Sequence, residues 1–143
     1  MSLLKNSAID LLLVQTTDGT SDPDGRSVDM LGFDGCVFVC IVGTITGSGT
    51  VNMSIAQSSD DSTYNAITGA AAQADLAADS DKPLVVDVYK PGDRYLRPTV
   101  TRSTAASILG GIVSIRYKGR KAPFTQNTSM HAATPVLVAS GVE

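Results

Sequence analysis

Residues 36–42 read Cys36-Val37-Phe38-Val39-Cys40-Ile41-Val42, seven apolar positions in unbroken succession. Both alternating faces of the run are apolar. Its length and its β-branched content favour a strand buried on both sides over a helical turn. Cys36 and Cys40 lie four apart and share one face of such a strand. At about 3.3 Å per residue their Cα atoms stand ~13 Å apart, and a disulfide needs less than about 7 Å. They read as two buried free thiols.

Outward from this run the chain keeps the same texture. Gly43 to Gly49 (GTITGSG) ends in a Gly-Ser-Gly turn and reads as a hairpin. Beyond it, Val51, Met53 and Ile55 alternate with Asn52, Ser54 and Ala56, the pattern of a half-buried strand over residues 50–58. Ser58 to Ser62 is a polar turn, and Tyr64 to Thr68 pairs back as a short strand. Residues 69–81 (GAAAQADLAADSD) are Ala-rich without a wide apolar stripe. They predict one or two helical turns or an irregular connection. Leu84, Val86 and Val88 then alternate with Val85, Asp87 and Tyr89, and Lys90-Pro91-Gly92-Asp93 is a turn. A strand over residues 94–102 carries Pro98, which argues for an edge position or a bulge. The last strand, 107–117, carries Gly110-Gly111, a bulge or a close backbone approach. On the N-terminal side, residues 28–34 form a short strand and residues 15–27 are turn-formers.

Seven or eight short strands without a βαβ rhythm make an all-β chain. The architecture expected is an antiparallel β-sandwich or jelly roll with extended N- and C-terminal segments. Its domain spans residues 1–121, with 1–14 either part of it or an extended N-terminal segment. Residues 122–143 form an extended C-terminal arm with Pro123, Pro135 and one apolar patch, Pro135-Val136-Leu137-Val138. Such an arm folds back on its own domain or reaches a neighbour.

A chain of 143 residues suits one domain, and at this size roughly 70% of the unfolded surface is buried on folding. Charged residues make up only 17%, against a typical ~25%. Ser, Thr, Gly and Ala fill the gap. Such a surface suits a chain largely covered by partners, and equally an ordinary Ser/Thr-rich β protein. Residues 1–81 hold eleven acids against Lys5 and Arg26, a balance of −9; residues 82–143 hold nine bases against three acids, a balance of +6. The halves neutralise each other inside one fold or across a subunit boundary, and the first is the simpler. The apolar run Leu11 to Val14 is too short to cross a bilayer, and signal-peptide features are missing around it. The chain is expected to be made and used in a cytoplasm.

The chemistry of an enzyme is poorly supplied. General-base work near neutral pH falls most often to His, and the one histidine is His131 in the arm. The glycines of 43–49 lack the Gly-Lys-Ser/Thr that grips phosphate. Two cysteines and a distant His131 do not make a zinc site. Asp60-Asp61 and Asp79-x-Asp81 do not match a calcium loop and read as solvated acids. With no Trp, three Phe and four Tyr, sugar-stacking platforms are scarce. The expectation is therefore no enzyme, no cofactor and no metal. Arg116, Lys118, Arg120 and Lys121 form a short basic stretch, and with Pro135, Val136, Leu137 and Val138 they are the candidate partner contacts. For Arg94, Arg97 and Arg102, pairing with the acidic first half or an acidic neighbour is expected.

One ordered set of segments adds to this reading. Gly43-Thr44-Ile45-Thr46-Gly47, Gln57-Ser58-Ser59-Asp60-Asp61-Ser62, Leu84-Val85-Val86-Asp87-Val88-Tyr89-Lys90-Pro91, Arg94-Tyr95-Leu96-Arg97-Pro98, Gly111-Ile112-Val113-Ser114-Ile115-Arg116-Tyr117 and Arg120-Lys121-Ala122-Pro123 together resemble small structural proteins of tailed bacteriophages. The resemblance covers about residues 33–123. It implies a jelly-roll-like capsid cement or decoration protein on the outside of the virion shell, assembled in the host cytoplasm. It also implies two partners, the major capsid protein and the chain itself as a dimer or trimer. No small-molecule substrate, specific nucleic acid or membrane is implied, and no catalytic residue. Another virion component (neck, tail or head fibre) is the alternative, and a carbohydrate-binding β-sandwich a more distant one.

Overall fold

A computed structural model describes residues 7–14, 19, 22–75, 77–103 and 105–117. Eight strands follow in order: β1 Ala8–Leu13, β2 Val28–Asp29, β3 Gly35–Ile45, β4 Thr50–Ser58, β5 Asn65–Asp75, β6 Pro83–Tyr89, β7 Tyr95–Ser103 and β8 Ser107–Tyr117. A single 3-10 turn, Ala77–Asp79, lies between β5 and β6.

The strands form two four-stranded antiparallel sheets, ordered β1-β8-β3-β6 and β2-β7-β4-β5. First pairs with last, second with seventh, third with sixth and fourth with fifth. A chain laid out as one long double ribbon and rolled up gives this order, which is that of the eight-stranded jelly roll. The antiparallel β-sandwich or jelly roll expected from the sequence is thus the observed architecture, in its jelly-roll form.

Several local expectations change. The segment Gly43 to Gly49 is no hairpin, because β3 and β4 belong to different sheets; the turn crosses the sandwich instead. Residues 69–81 hold one 3-10 turn, Ala77–Asp79, but residues 69–75 are strand rather than helix or irregular connection. That stretch continues β5, held by β4 through pairs such as Met53 with Ala72 and Val51 with Ala74, so the neighbouring ladder overrides weak Ala propensity. The strand expected over 28–34 shrinks to Val28–Asp29. Ala8–Leu13, within the segment 1–14, pairs with β8 and is an edge strand of the first sheet rather than a free extension. The arm 122–143 lies outside the described residues.

One backbone reading changes and one holds: β7 lies between β2 and β4 without a register shift, so Pro98 marks neither a sheet edge nor a bulge. On β7, Pro98 meets Ile55 of β4, while its carbonyl accepts from Gly25 N at 2.9 Å on the other flank, where Val100 N donates to Pro23 O. The N–H that proline lacks therefore falls on the side left by the two-residue β2. On β8 the register slips between Ile41 opposite Gly111 and Val42 opposite Leu109, so Gly110 is the bulged residue.

Inward rows of both sheets build one core. Phe38, Cys36, Cys40, Ile112 and Leu109 from the first sheet meet Val51, Met53, Ile55, Leu96 and Val100 from the second, all essentially without solvent contact. Both thiols are free and buried, as expected. Burial pushes Cys36 up to about 12 and Cys40 up to about 11. Thiolate is the reactive form, so the native protein should resist Ellman's reagent at pH 8 and release its thiols only on unfolding. Rapid labelling of the folded chain would contradict this packing.

Candidate interaction surface

Arg94 and Arg116 of the second half bind acids of the first half within one molecule. Arg94 grips Asp29 through two bonds, Nε to Oδ1 at 2.8 Å and Nη2 to Oδ2 at 2.7 Å. Arg116 stands in the inward row of β8. Its Nη2 donates to Asp10 Oδ2 and its Nη1 to Asp29 O, each at 2.8 Å, and it lies over the Phe33 ring. It ties β1 of one sheet to β2 of the other. Arg102 does the same work at the opposite end of the sandwich. Only 7% exposed, it donates from Nη1 to Ser107 O at 2.7 Å, and its backbone N–H donates to Asp22 Oδ1. Arg97 lies over the Tyr64 ring, 4.1 Å from its centroid. Arg116, read from sequence as a partner contact, is thus an internal strut, since its inward row hides it among Asp10, Asp29 and Phe33. Lys118, Arg120, Lys121 and Pro135 to Val138 lie outside the described residues.

Loop acids cap their own turns. Asp60 accepts from the backbone of Ser62 and Thr63 and from the Ser58 hydroxyl; Asp61 accepts from the Tyr64 hydroxyl; Asp79 accepts from Asp75 N and Lys82. Among the described residues no three His, Cys, Asp or Glu side chains gather as metal ligands do.

These bonds lower the carboxyl pKa values. The Arg94 hydrogen bonds lead the lowering at Asp29, and backbone or hydroxyl donors lead it at Asp60, Asp61 and Asp79. A depressed folded pKa adds stability above the unfolded value of about 3.9, lost as pH falls through the folded value. The melting temperature should therefore drop as pH is taken from 5 to 2. Asp29→Asn should flatten part of that slope, and an unchanged slope would deny the pair its role.

The surface that stands out is the outer face of the first sheet. The register lines up Val85, Val39, Val113 and Leu11 in one cross-strand row, and Asp87, Val37, Ile115 and Ile9 in the next. A third row sets Tyr89 and Tyr117 on either side of Gly35. Their rings lie 8° from parallel with centroids 6.3 Å apart. A Cβ on Gly35 would come within 2.3 Å of the Tyr117 ring, so only glycine lets that ring lie flat there. Tyr117 donates to Asp87 Oδ1 at 2.6 Å, and burial, with this bond, raises its phenol pKa. Val85, Ile41 and Leu11 are 53%, 52% and 49% exposed. The outer face of the second sheet is the opposite in kind. It presents Asn52 and Ser54 of β4, Thr99 and Thr101 of β7, and Gln73 and Asp75 of β5.

The sequence reads the run 36–42 as buried on both sides, yet among the described residues only its Cys36, Phe38, Cys40 and Val42 side is buried. The sequence therefore held a signal for this surface, in a strand with two apolar faces and in Val85 set between Leu84 and Val86. Beside the tyrosine end lies an open hollow of about 490 Å³ lined by Met30, Leu31, Phe33, Lys90, Pro91 and Arg94 among others.

No family model and no curated protein sequence matches the chain. Solved structures do. The PBSX exported protein XepA superposes with a TM-score of 0.53 at 14% identity over 97% of this chain, which spans 44% of XepA's length. The structure of Triatoma virus superposes with a TM-score of 0.50 at 13% identity, covering 87% of this chain and 69% of that one. The SPBc2 prophage-derived protein YomS gives 0.47 at 9% identity, over 77% of this chain and 93% of that one. At such identities the first two likenesses show a shared fold, and that fold is the two-sheet β architecture described above.

Proposed function

We propose that this chain is a non-enzymatic structural component of a phage particle, a cement or decoration protein that binds and braces the shell of a tailed phage. The observation that carries the reading is the outer face of the first sheet, a broad apolar surface on a small jelly roll. Monomeric proteins rarely leave such a face in water, so the molecule is completed by association. The resemblance of segments within 33–123 to tailed-phage structural proteins supports the particle. So does a fold shared with the PBSX exported protein and with Triatoma virus.

In this reading the partners are the major capsid protein and the chain itself, on the capsid exterior, after assembly in the host cytoplasm. Each contact is modest, and the sum over many copies gives the avidity that braces a shell. Lys118, Arg120, Lys121 and Pro135 to Val138 are proposed shell contacts. No small-molecule substrate, cofactor, specific nucleic acid or membrane takes part. The test is a copy count against the major capsid protein in purified particles. A ratio near one to one, or a simple fraction of it, supports cement. A handful of copies moves the chain to neck, tail or fibre, and absence from the particle overturns the reading.

A further inference from the structure

We propose that the apolar outer face of the first sheet is covered by a second copy of this chain, sheet face against sheet face, about a twofold axis. The inference rests on the reading that this face is completed by association and names its occupant, while membership of a particle is tested separately.

The size of the face is the first argument. Four strands at about 4.8 Å spacing and six residue steps of β3 at about 3.3 Å make a footprint of roughly 20 by 20 Å. With side-chain relief, two such faces bury on the order of 1,000 Å² in total, about the size that separates a biological interface from a chance contact. A single short segment would leave much of that face wet.

Charge is the second. A foreign protein partner is usually selected through charged and polar groups set to match its own. The Val85–Val39–Val113–Leu11 row has no charge. The next row has only Asp87, whose carboxylate already takes the Tyr117 hydroxyl. A face that offers apolar relief and little charge matches another face of the same kind, and a twofold contact needs only self-complementarity.

Shape is the third. Rows of β-branched side chains on a twisted sheet interdigitate with those of a second sheet about 10 Å away, with strand directions within about 30°. That packing already holds the sandwich together, and here it repeats on the other side of β3. An axis along the Val85–Val39–Val113–Leu11 row keeps the two Asp87 carboxylates of the dimer apart. The run 36–42 would then be buried on both faces, as its composition demands.

The test is sedimentation equilibrium of the full chain at micromolar concentration. The expected mass is twice 14.8 kDa. Val39→Lys, at the centre of the face and outside the core, should weaken the dimer roughly 100-fold or more, since each copy then brings an unpaired ammonium into an apolar contact. Val85→Lys, at a half-exposed position on the edge strand, gives the same result with less risk to folding, checked by far-UV circular dichroism. Ala71→Lys, on the outer face of the second sheet, should leave the mass at the dimer value. A monomeric wild type, a trimer mass, or a folded Val85→Lys protein that stays dimeric would each overturn the proposal. None of these results would alter the copy count in particles, so the two readings fail separately.

Discussion

Phe38→Ala should lower folding stability by about 3–5 kcal/mol, a large share of the 5–15 kcal/mol typical of a whole domain. Phe38 has no solvent contact and is the largest of the fully buried side chains. It sits mid-strand on β3, opposite Val86 of β6 and Ser114 of β8. Neighbours on both sides are fixed by ladder hydrogen bonds, so the site cannot collapse to fill the void. Val39→Ala, one residue along, should cost about 1 kcal/mol or less in the monomer, because Val39 points away from the core and leaves no enclosed cavity. Urea denaturation at concentrations too low for association measures both. The midpoint should move far for Phe38→Ala and little for Val39→Ala, with equal slopes. Comparable losses at the two positions would mean that the strand's faces are assigned the wrong way round.

That pair of neighbours also shows what the sequence could and could not convey. The strand at 36–42 was legible because seven apolar residues with a β-branched majority have few other uses. So was β4, whose Val51, Met53 and Ile55 alternate with polar partners, and so was the bulge, because Gly110-Gly111 has little other purpose mid-strand. Sheet membership was not. A Gly-Ser-Gly turn serves a hairpin or a crossing between sheets equally well, and the difference lies in whether β4 pairs with β3 or with β7. Nothing local distinguishes these, since β1 finds β8 and β2 finds β7 across most of the chain. The Ala run 70–74 looked helical or irregular because Ala has no strand preference of its own. It became a strand only because β4 offered it a ladder. The internal pairing of Arg116 was hidden for a related reason. Among basic neighbours this arginine looked like surface, but strand parity places it in the inward row beside Asp10 and Asp29, and parity is known only once the bulge and the pairing are known. The apolar outer face was half legible: composition showed two apolar faces on β3, and only the fold revealed which one the described residues leave uncovered.

Gly111→Ala should cost about 2–4 kcal/mol and act first on β1. Two effects add at this position. Its φ of +116° lies where side chains are disfavoured, and a Cβ built there stands 2.5 Å from the carbonyl oxygen of Leu13. That oxygen belongs to backbone and cannot swing aside as a side-chain tip would. The added methyl must push β1 away from β8 at the point where Leu13 pairs with Ile112. Gly32→Ala and Gly47→Ala separate the two effects. Both glycines have positive φ, at 87° and 52°, and neither Cβ would meet any atom within 4 Å. They should lose only about 1 kcal/mol each from backbone conformation. Hydrogen exchange localises the damage. In Gly111→Ala the amides of Ala8 to Leu13 should exchange faster while those of β4 and β7 stay near wild type, because β1 is an edge strand and can detach alone. Loss of protection spread evenly over both sheets would mean that β1 is integral to the cooperative unit. Ile9 and Leu11 supply one side of the apolar face, so a detached β1 should also weaken self-association. The dimer mass should then fall with β1 protection in this variant, while in Gly32→Ala and Gly47→Ala both should hold.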